Sequence, residues 1–250
     1  MLCARIKDLS VSAGSHRILN GVSLKCPDNA ITVLAGRSGS GKTTLLRSLN
    51  RLNDHFPELV VTGSVELKLG NAMKDVYAPS TSLPELRRRA GMVFQSPNPL
   101  PLSVARNILL PLKLALGVYG SEAEGRMERV LHDVGLWQEV SGRLNAQASS
   151  LSGGQQQRLC LARTLALEPD ILLLDEPTAS LDRRASEIIE ELLLSLKAHY
   201  PIIMVSHSLP QAQKLASRLV VLRDGEVYRT LDAPEIPHGP DGLSVIEKML

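Results

Sequence analysis

The eight residues GRSGSGKT, Gly36 to Thr43, constrain this chain more than any other part of it. They match G-x-x-x-x-G-K-[ST] and lie between an apolar run, ITVLA at 31–35, and a helical pattern that starts near Lys42. A buried strand that passes through glycines into a helix brings backbone N–H groups together on phosphate oxygens, and the helix N-terminus adds a dipole that favours negative charge. Gly36, Gly39 and Gly41 give the loop its freedom, and Arg37, Ser38 and Ser40 fill the places between them. Lys42 is positioned to reach the β- and γ-phosphates, the Thr43 hydroxyl can ligate Mg²⁺, and Thr44 extends the set by one residue. A nucleoside triphosphate is the expected ligand.

The remaining apolar runs fix the class. GMVF at 91–94, ILLL at 171–174 and IIMV at 202–205 are each followed by loop residues and separated by helical patterns, as in an α/β protein whose parallel sheet is covered by helices. Residues 4–35 read as short strands with turns, and Asp224-Gly225 between LVVL and EVY reads as a hairpin. From Pro97 the chain passes through SPNPLPLS into helical patterns such as Met127, Val130, Leu131 and Val134, so residues 97–155 read as a helical insertion. Proline 169 ends the helix that carries Leu159, Ala162 and Ala166 on one face.

At 250 residues the chain is long enough for one large domain. A formal charge of +2 and 3% aromatic content argue against nucleic acid as the main partner. Cys3, Cys26 and Cys160 lack metal or redox spacing and read as reduced packing residues. The N-terminus has no apolar h-region, and NILLPLKLALGV is too short and too interrupted to span a bilayer, so a membrane link is expected only through a partner.

ILLLDEP complements the glycine loop. It brings Asp175 and Glu176 to the C-terminal edge of a buried strand, where open α/β sheets bind their ligands. Asp175 is expected to hold Mg²⁺, directly or through water. Glu176, which points away from its neighbour at the strand end, is expected to act as the general base on the attacking water. A second turn, LSGGQQQR at 151–158, also leads into a helix, with Ser152 as its N-cap. A chain with one nucleotide does not need a second anion cradle for itself. The Arg87-Arg88-Arg89 run reads as a solvated helix face.

The ordered set GRSGSGKT, Gln95 in MVFQSP, LSGGQQQR, ILLLDEP, ASLD at 179–182 and His207 in VSHS resembles the nucleotide-binding subunit of an ABC transporter over about residues 4–230. RSLNRLND, LPELRRRAGMVFQSPNPLPLS and LSGGQQQRLCLARTLALEPDILLLDEPT resemble most the ATPase subunits of bacterial phosphate importers. The resemblance implies a P-loop NTPase with a RecA-like core, a mixed and mostly parallel sheet, an N-terminal antiparallel β subdomain and an inserted α-helical subdomain. Residues 1–250 would then be a single ABC ATPase domain, with 1–96 and 156–250 forming the core and 97–155 the helical signature subdomain. ATP and Mg²⁺ are the implied ligands. Gln95 would sense the γ-phosphate and Mg²⁺, and His207 would contact the γ-phosphate and hold the water with Glu176. Asp182 would lie at the contact between two subunits. Ser152, Gly153, Gly154 and Gln155 of one subunit would close over the nucleotide held by the other, so the second cradle serves the partner in a homodimer, or in a pair with another ABC subunit, in the ATP-bound state.

The further partners implied are transmembrane permease subunits and, indirectly, a periplasmic or extracellular solute-binding protein, with the chain peripheral to the cytoplasmic face of the inner membrane. The proline-punctuated run 97–101 reads either as a linker or, with the helices after it, as the lining of a groove for a helix of the permease. Two positions depart from the family pattern. Ala13 stands where the family usually has an aromatic that stacks on adenine, with His16 nearby as an exposed turn residue, and Ser206 stands where it has Thr. Importers of another oxyanion, amino acid or metal remain alternatives, as does an ABC-type ATPase acting on nucleic acid. Tandem cassettes or heptad insertions would mark that last class, and this chain has neither.

Overall fold

The computed structural model describes residues 1–250 as two β-sheets with helices packed on them. The chain opens with β1 (Leu2–Ala13) and β2 (His16–Pro27), which pair antiparallel through a two-residue turn with Gly14 in the left-handed region. The short strands expected over 4–35 are instead a hairpin of two 12-residue strands. Leu9, Val11, Leu19, Val22 and Leu24 are buried along its length, and the pairing continues across several register shifts instead of breaking into shorter strands. The strand β3 (Ile31–Ala35), buried at every position as its composition requires, departs into the second sheet. β4 (Leu59–Leu69) and β5 (Ala72–Asp75) return to the first, giving the antiparallel order β2-β1-β4-β5. Neither lies in an apolar run, because burial touches only alternate residues from Val65 to Leu69.

The second sheet carries β6 (Ala90–Val93), β7 (Ile171–Asp175), β8 (Ile202–Val205), β9 (Arg218–Arg223) and β10 (Glu226–Asp232) in the order β10-β9-β3-β8-β7-β6. All its pairings are parallel except β9 with β10, which turn through Asp224 and Gly225, both at positive φ. Strand alternation divides the interior. Ile171 and Leu173 face the small sheet and α1 (Lys42–Ser48), in a cluster with Leu34, Leu45 and Val205. Leu172 and Leu174 face the other way, in a larger cluster with Val33, Met204 and Val221.

That larger cluster also takes in the helical segment. α3 (Val104–Leu116), α4 (Gly120–Asp133) and the short α5 (Trp137–Val140) add Val104, Ile108, Leu112, Met127, Leu131 and Val140 to it, so the helices share one core with the sheet. α6 (Gly153–Leu165) packs on α3, α4 and β6 and runs without a break through position 155, where the sequence reading places its boundary. Buried Asn107 holds the proline-rich approach to α3: its carbonyl accepts from Leu100 N at 2.7 Å, and its amide donates to the carbonyls of Leu100, Leu102 and Ser103.

α2 (Leu83–Arg89) corrects the expectation for the three arginines, which are half-buried rather than a solvated face. The helix ends directly on β6, and its guanidinium groups reach the neighbouring loops. Arg87 donates to the carbonyls of Asn50 and Arg51, Arg88 to that of Leu167, and Arg89 pairs with Asp170. α7 (Arg183–Leu196), α8 (Leu209–Leu215) and α9 (Gly239–Met249) complete the helical layer. The three cysteines are free and buried, and burial pushes the Cys26 thiol up to about 12. No helix is long and apolar enough to cross a membrane.

Candidate functional site

The glycine loop joins the end of β3 to the start of α1. Gly41, the residue before the helix, takes φ 93, and a Cβ there would meet the Leu19 side chain and the Ile18 carbonyl, so conformation and space both require glycine. No side chain caps α1, which leaves its first N–H groups facing an open cleft of about 240 Å³. Ile18, Ser38, Gly39, Lys42, Thr43, Thr44 and His207 line it. Arg37, Ser38 and Gly39 are exposed at the rim, while Gly36 and Ser40 are buried beneath it. Lys42 is 4% exposed, and its Nζ donates to the carbonyls of Gly36 and Arg37, both at 2.8 Å. Burial lowers its pKa, opposed by the charges of Glu176 and Asp175.

β7 delivers the two carboxylates in different directions. Asp175, 5% exposed, accepts from the Thr43 hydroxyl at 2.9 Å and lies 3.7 Å from the Arg47 guanidinium. Glu176 leaves the strand at φ 48, a left-handed conformation that a non-glycine residue holds only when its surroundings impose it. Its N–H donates to the Val205 carbonyl, and its Oε1 lies 2.8 Å from His207 Nε2. Ser206 and the buried Gln211 hold the loop that carries His207. Gln211 accepts from the Ser206 hydroxyl at 2.8 Å and donates to Thr178 Oγ1 at 2.7 Å, which ties that loop to the residues after Glu176.

Thr43 and Asp175 thus set two hard oxygen ligands side by side at the foot of the cleft. No three His, Cys, Asp or Glu side chains form a metal cage. Mg²⁺ needs none, since it is commonly held by one or two protein oxygens together with substrate phosphates and water. The donor set fits that ion.

Of the other expected site residues, Gln95 is exposed and its side-chain amide bonds to no other residue of the set, although its carbonyl accepts from the Ser180 hydroxyl at 3.0 Å. Ser152 N-caps α6 in a reciprocal capping box: its hydroxyl accepts from Gln155 N, and the Gln155 Oε1 accepts from Ser152 N at 2.9 Å. The Gln155 amide donates to Glu139, which also pairs with Arg158 at 2.7 Å. A Cβ on Gly154 would lie 2.7 Å from the Ala185 Cβ, whereas one on exposed Gly153 would meet only Leu181 at 3.5 Å. Asp182 N-caps α7 by accepting from Ala185 N at 2.9 Å. None of Ser152, Gly153, Gly154 and Gln155 hydrogen-bonds to the glycine loop of its own chain.

Three contributors went unread in the sequence. Ile18 lines the cleft and Gln211 braces the His207 loop. Gln157, 1% exposed, donates to the carbonyls of Phe94 and Pro177. The signal for Gln157 was its place four residues before buried Leu161, a polar residue on the inward face of a helix.

Residues 19–179 match the protein family described as ABC transporter. Among curated proteins, the chain is 44% identical over 235 residues to phosphate import ATP-binding protein PstB 2 of Lactiplantibacillus plantarum, covering 94% of this chain and 92% of that one. It is 48% identical over 214 residues to phosphate import ATP-binding protein PstB 1 of Nitrosococcus oceani, covering 85% and 76%. Among solved structures, the dimeric bacterial ABC transporter cassette MJ0796 superposes with a TM-score of 0.76 at 30% identity, over 92% of this chain and 98% of that one. The cbiO1 subunit from Clostridium perfringens, at 23% identity and TM-score 0.81 over 94% and 90%, shares the fold.

Proposed function

The chain belongs to the ABC transporter family, and we propose that it is the ATP-hydrolysing subunit of a phosphate importer, working as a head-to-tail pair on the cytoplasmic face of the inner membrane. The observation that carries this reading is the pairing at the end of β7: Asp175 with Thr43 at the foot of the cleft, and Glu176 with His207 beside it. A binding module would not need a carboxylate held at positive φ against an imidazole. Relatives named as phosphate import ATP-binding proteins, alike over nearly the whole chain, support the solute.

The geometry supports the following chemistry. The loop N–H groups and Lys42 face the β- and γ-phosphates, and Lys42 exchanges its contacts with Gly36 and Arg37 for phosphate oxygens. Thr43 and Asp175 would hold Mg²⁺, which when bound neutralises charge on the transferring phosphoryl group. Glu176 takes the proton of the attacking water through the carboxylate oxygen that His207 leaves open, and His207 fixes the orientation of that carboxylate. Gln95, on the segment leading into the helices, swings toward the γ-phosphate and Mg²⁺ as the subunits close. Ser152, Gly153, Gly154 and Gln155 complete the partner's site, and Asp182 lies at the same contact. Permease subunits dock on the helical face, and a solute-binding protein acts on them from the other side of the membrane.

The test is transport itself. Proteoliposomes that hold the chain with its permeases and binding protein are expected to hydrolyse ATP faster when phosphate is supplied to the binding protein, and to accumulate phosphate. Stimulation by a different solute, with none by phosphate, overturns the choice of solute. No hydrolysis in the assembled complex overturns the motor.

A further inference from the structure

Gln157 joins three parts of the site that are distant in sequence. It sits one turn into α6, just after the Ser152 to Gln155 turn, and its amide nitrogen donates to the Phe94 carbonyl and to the Pro177 carbonyl, each at 3.0 Å. Phe94 immediately precedes Gln95, and Pro177 immediately follows Glu176. Both neighbours are acceptors, which fixes the orientation of the amide: only the NH₂ group can face them. Its Oε1 is buried with no partner. An apolar residue at this position would leave the two loops untied to the helix. A second cross-tie, the Ser180 hydroxyl on the Gln95 carbonyl, joins the same two loops without reaching α6.

We propose that Gln157 is a positioning residue that couples the signature turn of a subunit to that subunit's own hydrolytic carboxylate. A shift of α6 as its N-terminal turn engages the partner's nucleotide pulls directly on the main chain beside Glu176 and beside Gln95. Each site then registers whether the opposite one is closed. This rests on the head-to-tail reading above.

The experiment uses full-length protein in two backgrounds. In the otherwise unaltered chain, assembled with its permeases, Gln157→Leu is expected to lower kcat for ATP hydrolysis by roughly tenfold, as small misplacements of catalytic groups do, with KM for ATP within about twofold. Gln157→Asn keeps the amide but is one methylene too short to span both carbonyls, and it is expected to move the same way. It supplies the test if the leucine variant does not fold. In the Glu176→Gln background, ATP-driven pairing followed by size exclusion is expected to need more ATP when Gln157 is also replaced. Ser180→Ala, which leaves the helix tie in place, is expected to have the smaller effect. Unchanged kcat and pairing in the folded variants overturn the coupling, and so does a loss of kcat that only tracks a loss of folded protein. If Glu176→Gln alone fails to pair on ATP, the head-to-tail reading falls and the coupling falls with it, an outcome distinct from a parent that pairs and a Gln157 variant that pairs equally well.

Discussion

At residues 36–44 the chain folds its polar groups around an open cleft, whereas at 152–155 it braces an exposed turn from one side only. Lys42 and Asp175 are nearly buried, bonded to the loop carbonyls and to Thr43. Ser152 and Gly153 are exposed, and their bonding partners lie behind them: Gln155 in the capping box, Glu139 beyond it. The first turn reads as a pocket; the second reads as a braced surface. A turn held so firmly from behind, with its front open, is suited to meeting a ligand carried by another molecule. The two glycines of the second turn express the same division. Gly154 is needed internally, where α6 passes Ala185, but nothing inside the chain requires glycine at 153.

The largest effect expected from this division is an all-or-none one. A Lys42→Ala chain lacks a working first turn, and a Gly153→Asp chain presents a carboxylate where the partner's γ-phosphate would sit. Aspartate at the first position of α6 suits the helix dipole and has room, so this variant should fold. Each variant alone is expected to be inactive in the assembled complex. Mixed, they should recover ATPase activity on the order of a quarter of wild type, because a head-to-tail heterodimer holds one fully intact composite site. No recovery on mixing would place both turns of a site in one subunit and remove the distinction between pocket and surface.

Glu176→Gln ranks next. It keeps the shape and an oxygen facing His207 but removes the base, and is expected to lower kcat by about 10²-fold or more while ATP binding persists. Near wild-type turnover would shift the base role away from the Glu176–His207 pair.

Gly154→Ala and Gly153→Ala separate packing from approach. The first drives a methyl into Ala185 and is expected to cost about 1–3 kcal/mol in denaturant unfolding. The second should leave stability within about 0.5 kcal/mol yet lower ATPase activity, because any loss there arises from the close approach of the partner's phosphates. If Gly153→Ala is active and stable while Gly154→Ala loses only stability, the second turn is structural throughout.

The same contrast explains what the sequence made legible. The first turn, β3 and β7 declare themselves because each satisfies a local rule: glycines at fixed offsets, buried strands as unbroken apolar runs. β4 and β5 stayed hidden because their partners are far away in sequence and only one face is buried. The arginines of α2 misled for a related reason. A charge run looks solvated until the carbonyls it reaches, at Asn50, Arg51 and Leu167, are brought alongside. Gln157 and Gln211 act on main-chain carbonyls and hydroxyls from remote segments, so residue type alone does not mark their roles, and only the inward helical position of Gln157 hints at one.

The smallest effect concerns the brace behind the second turn. Burial works against the Glu139 carboxylate, but hydrogen bonds from Gln155 and Arg158 and the Arg158 charge outweigh it, holding its pKa below the ordinary value. A carboxyl depressed in the fold binds fewer protons folded than unfolded, so its stabilisation is present above its unfolded pKa and is lost as pH falls through the folded one. Between about pH 5 and pH 3, wild type should therefore lose Tm faster than Glu139→Gln, which has no proton to bind there. With the Glu139 side chain 39% exposed, the difference should stay below about 1 kcal/mol and shrink with added salt. Equal slopes for the two proteins would mean that the capping box alone supports the turn, and that Glu139 contributes nothing to keeping its exposed face in place.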